Sequence, residues 1–441
     1  MANIQDLMTK IDESSKAVYE FATAPDTAMV NLPDGSSVPS MKKQAKDGVN
    51  YLNAPGNHYT KLEANDHTLN TIDAVKLNGK QYSQIVGVGS KNRIINGDFN
   101  VNQRGQASYV FASDAATNTF SGGYTLDRVK TANSKAGGQF TVTQGELNGH
   151  KTWKCTVDTP PTNLTWDGTA DRYWHGILYF FEGQHLYDLA VNQENVTISF
   201  VFNSNVSGIY STSFRLEGGT LDSYVSEFTY TAGSPQKVSV TIPLNHTWYK
   251  TLTNDNNRGF SVVIGFIGDN HKTPSLNQWV SGNYVCSPNY TNWGAAAGNF
   301  IEIAQLQLEK GTEATDFEYV PYDIQLMRCM RYYEIVASNQ YNGTTIRWQG
   351  HPTSHSGSAR WLNLPFKYEK RTAPAITVIG LGMLYSSSGN VANTAIGSSG
   401  TFSDIGGVGI SVVDNGAVIP KTSVAHFDLK VGSAIIASAE L

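Results

Sequence analysis

Ile301–Leu308 reads IEIAQLQL. Apolar side chains stand at 301 and 303, then at 306 and 308. Within each pair the alternation is that of a half-buried strand. Between the pairs the parity changes, which a regular strand does not allow. The spacing therefore predicts a β-bulge near Ala304–Gln305. Upstream, Val196, Ile198, Phe200 and Phe202 alternate with polar neighbours, and Val238, Val240 and Ile242 repeat the pattern. Phe260–Ile267 is almost continuously apolar, as a strand in a sandwich core is. Turn signals separate these runs, and no helix of any length is expected among them. The pattern is that of an antiparallel β-sandwich or jelly roll.

Lys91–Gly105, KNRIINGDFNVNQRG, opens the run of strands. It is expected to be the first strand and to meet the closing strand near Ile301–Leu308. It also sets a boundary, giving three regions: 1–90, 91–322 and 323–441. In the first, residues 2–22 have helical spacing at Ile4, Met8, Ile11 and Val18. They form either a short trimeric bundle or a helix docked on another surface, because so short a helix needs packing. Met29–Ser40 holds a Pro33-Asp34-Gly35 turn between two short extended pieces. This region has too little apolar sequence for its own core and is expected to fold against partner chains. The last region begins with helical spacing at Leu326, Cys329, Met330 and Tyr333. It continues as strands at Ile346–Trp348, Arg360–Leu364, Ile376–Ile379, Gly409–Val413, Val424–Lys430 and Ser433–Ser438, a second and smaller β-sandwich. The fold class is mainly β.

Hydrophobic residues are 40% of the 441 and charged residues only 16%. Asn, Ser, Thr, Gly and Tyr fill the difference, which suits sheets with weakly charged surfaces. The net charge of −5 and the absence of a basic stripe speak against nucleic-acid binding. No apolar run approaches the ~20 residues of a membrane helix, so no membrane insertion is expected. Acidic and basic residues from Asp6 to Lys16 break any secretory signal core. Three cysteines without a CxxC pair form no disulfide framework and point to a reducing folding compartment.

Three segments resemble bacteriophage tail-fibre and receptor-binding proteins. They are Asn92–Gly105 with Tyr124–Val129 (YTLDRV), Ile303–Tyr322 (IAQLQLEKGTEATDFEYVPY), and Gln325–Glu334 (QLMRCMRYYE) with Leu364–Val378. The front part, with VNLPDGSSVPSMKK, is similar to the virion-attachment region of such proteins. The first two segments also look like the opening and closing strands of jelly-roll carbohydrate-binding modules. In those modules an acidic residue soon after the Asn-Gly and Phe often helps hold a structural calcium. Here Asn100 follows Phe99 and Asp98 precedes it, a departure, and no metal or other cofactor is expected. The resemblance implies a virion tail component, usually a homotrimer, made in the bacterial cytoplasm. It would attach through residues 1–90, with Ile4, Met8, Ile11 and Val18, to other tail or neck proteins, and present its β-domains to a host cell-surface polysaccharide or other receptor.

Six of the eight tryptophans lie between 153 and 293. Sugar rings stack their apolar faces on aromatic planes, and their hydroxyls seek planar polar partners. Trp166, Asp167, Tyr173, Trp174 and His175, together with Tyr290 and Trp293, lie in polar stretches suited to such loops. The competing role for these aromatics is core or subunit interface. A glycosidase needs two flanking carboxylates. Asp167 with Asp171, or Glu182, could be forced into that role, but in this chain Asp is mostly a turn former. No catalytic set emerges, and the expected protein is not an enzyme. The expected role is a tail fibre or receptor-binding protein that binds host glycan. The alternatives are a collar or neck appendage without receptor binding, and a polysaccharide depolymerase.

Overall fold

A computed structural model describes residues 91–117, 119–165, 173–217, 221–245, 252–268 and 271–339, and most of 359–379 and 433–441. Outside these, it describes the backbone of short strands. Contacts divide the chain into Met1–Ile85 and Val86–Leu441. In the first unit, β1 (Met29–Asn31) pairs antiparallel with β2 (Ser37–Pro39) across the Pro33-Asp34-Gly35 turn signal. Ile4, Met8, Ile11 and Val18 lie outside the described residues.

The second unit opens into a two-sheet sandwich. One sheet has six strands: β3 (Tyr109–Ser113), β6 (Gly138–Leu147), β7 (His150–Thr159), β9 (Asn195–Ser204), β12 (Gln236–Pro243) and β15 (Phe300–Lys310). Their order is β12-β9-β15-β7-β6-β3. The other has seven: β4 (Phe120–Tyr124), β5 (Val129–Ser134), β8 (Tyr173–Glu182), β10 (Gly208–Leu216), β11 (Ser223–Tyr230), β13 (Arg258–Ile264) and β14 (Trp279–Val280). Their order is β14-β11-β10-β13-β8-β5-β4. Phe140, Trp153, Phe200, Phe202 and Ile303 from one sheet pack with Ile177, Phe181, Phe214 and Phe260 from the other in a single core. The alternation at 196–202 and 238–242 points its apolar residues into this layer, as the sequence requires.

β15 carries the bulge. Ala304 pairs with Val201 and Gln307 with Ser199, so three steps on β15 face two on β9. The extra residue is absorbed at Gln305, whose φ is 53°. Ile303, Leu306 and Leu308 all reach the core despite the change of parity.

Lys91–Gly105 differs from expectation. It is not a strand, because Asn96 (φ 63°) and Phe99 (φ 54°) take left-handed conformations that break the pleat. It folds instead as a buried turn plugged against the closing strand. The Arg93 N–H donates to Leu308 O and the Leu306 N–H to Gly97 O, each at 2.8 Å. Asn92 completes the seam, donating to Leu306 O at 3.2 Å and accepting from Leu308 N at 3.1 Å. A Cβ at Gly97 would stand 2.0 Å from Leu306 O, so only glycine fits. The first strand of the sandwich is β3.

The absence of helices within the sandwich is also corrected. α1 (Gly183–Val191) links β8 to β9 and buries Leu186, Leu189 and Ala190. A nine-residue stretch with its buried apolar positions at 186, 189 and 190 is too short a signal to separate from a loop.

The chain continues into α2 (Tyr322–Met330) and β16 (Tyr333–Asn339), then into small antiparallel sheets. One is β16-β26-β20, with β20 (Ala375–Ile379) and β26 (Ser433–Ser438). The other expected strands fall in two four-stranded sheets. These also take in Gly382–Ser386, which the sequence reading did not assign. The chain is thus mainly β.

Candidate functional site

Of the residues expected to contact glycan, Tyr173 and Tyr290 pack against one small cluster of Val263, Phe266, Val285 and Cys286, while Trp293 lies apart in the main core. Trp166 and Asp167 lie outside the described residues. Trp174 and His175 sit on β8, with only their backbone described. Tyr173 is half-buried, its ring 5.5 Å from Phe266 and 5.8 Å from His271. Tyr290 packs against the core, with Lys272 Nζ 5.1 Å from its ring centre. Trp293 is a correction: it is wholly buried in the core, and its indole N–H donates to Gly265 O at 3.0 Å. An indole with its N–H satisfied inside a core has no face left for a ligand. Trp153 is equally buried, donating to Thr125 Oγ1 at 3.2 Å.

An aromatic cleft forms elsewhere, over the outer face of the six-stranded sheet. After β15 the chain turns back and lays Thr315–Tyr319 across Ser199 and Val201 of β9, enclosing a cleft of about 230 Å³. Several bonds fix this overpass. Thr315 donates to Glu309 through its backbone N–H (2.9 Å) and hydroxyl (2.6 Å). The Glu318 N–H donates to Gln307 Oε1 at 2.8 Å, and Lys237 Nζ to Thr315 O at 3.2 Å. Lys91 Nζ reaches Thr315 Oγ1 at 2.5 Å and Asp316 O at 2.6 Å. The bulge sets Gln305 in the cleft wall, where its amide donates to the Tyr319 hydroxyl. Tyr319 is 55% exposed. Phe317 stands edge-on to it, ring centres 4.9 Å apart, and the Tyr319 hydroxyl lies 3.0 Å from His150 Nδ1. An exposed ring beside an amide, a lysine and a carboxylate (Asp316) is chemically suited to a polyhydroxylated ring. Sequence reading missed these residues. Their signal was the Phe317–Tyr319 alternation just after the closing strand.

A second polar assembly ties the sandwich to the segments that follow it. Glu182 is fully buried and accepts from Arg331 Nε (3.0 Å), Arg331 Nη2 (2.9 Å) and the Tyr332 hydroxyl. Burial opposes its ionisation, but the bonds from Arg331 and Tyr332 outweigh burial and hold the carboxyl below the usual range. A carboxylate committed to that clamp is not offered to a substrate. Arg128 donates to Phe180 O at 2.6 Å and to Glu440 at 3.2 Å, and lies 3.5 Å from the Tyr332 ring centre. Arg104 meets the other Glu440 oxygen at 3.0 Å over the Tyr333 ring. Asp127 accepts twice from Gln103, at 2.7 Å each, and burial raises its pKa to about 6. Among the described residues, no group of three His, Cys, Asp or Glu side chains is placed to hold a metal ion. Among the described residues, no helix is long and apolar enough to cross a membrane.

No protein-family model matches the chain, and no curated protein is significantly similar to it. Solved structures align with it at low similarity. A CBM4 structure is 11% identical, with a TM-score of 0.22, over 50% of this chain and 100% of its own. The tandem CBM22-1–CBM22-2 domains of Paenibacillus barcinonensis Xyn10C are 10% identical, with a TM-score of 0.21, over 76% and 99%. The enzymatically active domain of bacteriophage CBA120 tailspike protein 4 is 8% identical, with a TM-score of 0.19, over 50% and 22%. TM-scores this low carry no argument about what the chain does.

Proposed function

We propose that this chain is a non-enzymatic adhesive component of a phage virion, and that its sandwich binds host surface glycan through the Tyr319 cleft. The observation that carries the binding reading is the exposed Tyr319 ring beside Phe317, Gln305 and Lys237 on a rigid overpass. Stacking supplies affinity and the amide and charged groups supply orientation, while the bulge holds them in place without ligand. The virion role rests on the resemblance of residues 92–378 to tail-fibre proteins. In this reading residues 1–90 join the chain to a tail or neck protein. Display as a homotrimer multiplies a weak single-site affinity.

The test is titration of the protein with host surface polysaccharide. Binding is expected, weakened about tenfold, or ~1.4 kcal/mol, in Tyr319→Ala. Intact protein that enters particles but binds no glycan supports the collar or neck appendage instead. Shortened polysaccharide after incubation overturns the non-enzymatic reading. A monomeric mass by sedimentation sinks the homotrimer.

A further inference from the structure

Residues 1–90 are joined to the sandwich through Lys91, and Lys91 is bonded to the overpass that covers the Tyr319 cleft. Its Nζ donates to Thr315 Oγ1 at 2.5 Å and to Asp316 O at 2.6 Å. The next residue adds a third tie: the Asn92 backbone N–H donates to Glu318 Oε2 at 2.7 Å. Lys91 and Thr315 are 224 positions apart, so these bonds exist only while the entry and the overpass are packed together.

The two residues are anchored differently. Asn92 is fixed to the closing strand through Leu306 O and Leu308 N, and its Oδ1 also accepts from the Ile94 N–H at 2.9 Å. It therefore joins that strand to the overpass. Lys91 is half-buried and reaches the overpass only through its flexible four-carbon stem. It stands between the Asn92 anchor and the chain that precedes it. Lys237 Nζ also reaches Thr315, at its carbonyl oxygen, but at 3.2 Å.

We propose that Lys91 and Asn92 are positioning residues for the Tyr319 cleft, and that the chain entering at residue 91 thereby regulates it. While Lys91 holds Thr315 and Asp316, Phe317 and Tyr319 keep the geometry that receives a sugar. A displacement of residue 91 draws the ammonium from Thr315 while Asn92 keeps the strand in place, so the overpass loosens and affinity falls. Linkage makes the coupling reciprocal: a bound glycan tightens the hold on residues 91–92. This regulation rests on the glycan reading of the cleft given above.

The experiment pairs amide hydrogen exchange with titration of host surface polysaccharide, on the full chain and its Lys91→Met and Lys91→Arg variants. The Thr315 and Glu318 amides report on the overpass, because they bond to Glu309 and Gln307. Lys91→Met is expected to speed their exchange at least tenfold, leave β9 and β15 unchanged, and weaken the polysaccharide about fivefold. Lys91→Arg, which keeps the charge, is expected to restore both. In the parent protein, bound polysaccharide is expected to slow exchange of the Asn92 amide at least fivefold. If the parent binds but Lys91→Met moves neither the overpass amides nor affinity, the regulation falls and the glycan reading stands. Faster exchange with parent-like affinity, or an Asn92 amide unmoved by bound polysaccharide, has the same result. Equal acceleration in β9 and β15 reduces Lys91 to a general stabilising contact and also overturns the regulation. A parent that binds no polysaccharide overturns the glycan reading, and the regulation with it.

Discussion

The two ends of the 91–105 segment are buried by opposite chemistry. In its first half the buried side-chain bonds of Asn92 and Asn96 are neutral, and the charged Lys91 and Arg93 reach less buried partners. Asn92 and Gly97 bond to the bulged strand, and Asn96 donates to Val101 O and Asp127 O while accepting from Val101 N, all at 2.9 Å. Its second half is held by charges: Arg104 joins Arg128 on Glu440. Amide bonds exchange water for protein at little net penalty. Buried ions lose several kcal/mol of hydration, which only good partners offset. The amide half fixes geometry; the ionic half stakes the attachment of residues 323–441 on complete pairing.

Breaking the ionic half gives the largest expected effect. Arg128→Ala leaves Glu440 to Arg104 alone, takes the buried donor from Phe180 O and opens space beneath Tyr332, and is expected to destabilise by about 3–5 kcal/mol in urea unfolding. If the loss stays under about 1 kcal/mol, the joint is not the buried ionic clamp described here.

The pH dependence of the same region comes next. The Asp127 pKa is raised to about 6 in the fold, from an ordinary 3.8. Its contribution is fully present below pH 3.8 and is lost as pH rises toward 6. Parent protein should therefore gain on Asp127→Asn by up to about 3 kcal/mol as pH falls from 6 to 4. His185 runs the other way. Burial lowers its pKa to about 4, so its contribution is present above 6.5 and lost on descending to 4. Parent protein should thus lose a comparable amount relative to His185→Asn over that window. Parallel stability–pH curves for parent and either variant remove the respective assignment.

The amide half is probed by Gly97→Ala, whose Cβ meets Leu306 O. Backbone must move, and about 1–3 kcal/mol is expected to be lost, with the joint intact. A variant as stable as the parent shows that the turn does not abut the bulge so closely. The smallest effect belongs to the exposed Lys151–Glu146 pair, whose side chains are 45% and 61% exposed. Lys151→Ala is expected to stay within roughly 0.5 kcal/mol, which separates buried from solvated charge pairs in one molecule.

The strands and the bulge were legible because their signal is local. Ile301, Ile303, Leu306 and Leu308 state both the period and its interruption within eight residues. The Asn96-Gly97 turn is visible as punctuation, but the segment still reads as a strand, since two left-handed residues, Asn96 and Phe99, decide its path and only Asn96 is of a type that favours that conformation. Trp293 misled for a different reason: residue type does not reveal which side of a sheet a ring occupies, and Trp293 is core. The Tyr319 cleft escaped because its floor comes from β9 and β15 and its cover from residues 315–319.

The amino-acid sequence by itself thus determined the mainly β class, the core-facing alternation and the position of the bulge. Each depends on neighbours two residues apart on a pleated chain. Only the tertiary structure decided the Tyr319 cleft and the ionic joint. Arg104 and Glu440 are 336 positions apart, and Glu182 and Arg331 are 149 apart. No local pattern marks such pairs, because their meeting depends on how whole sheets and helices pack, not on the spacing of side chains along one element.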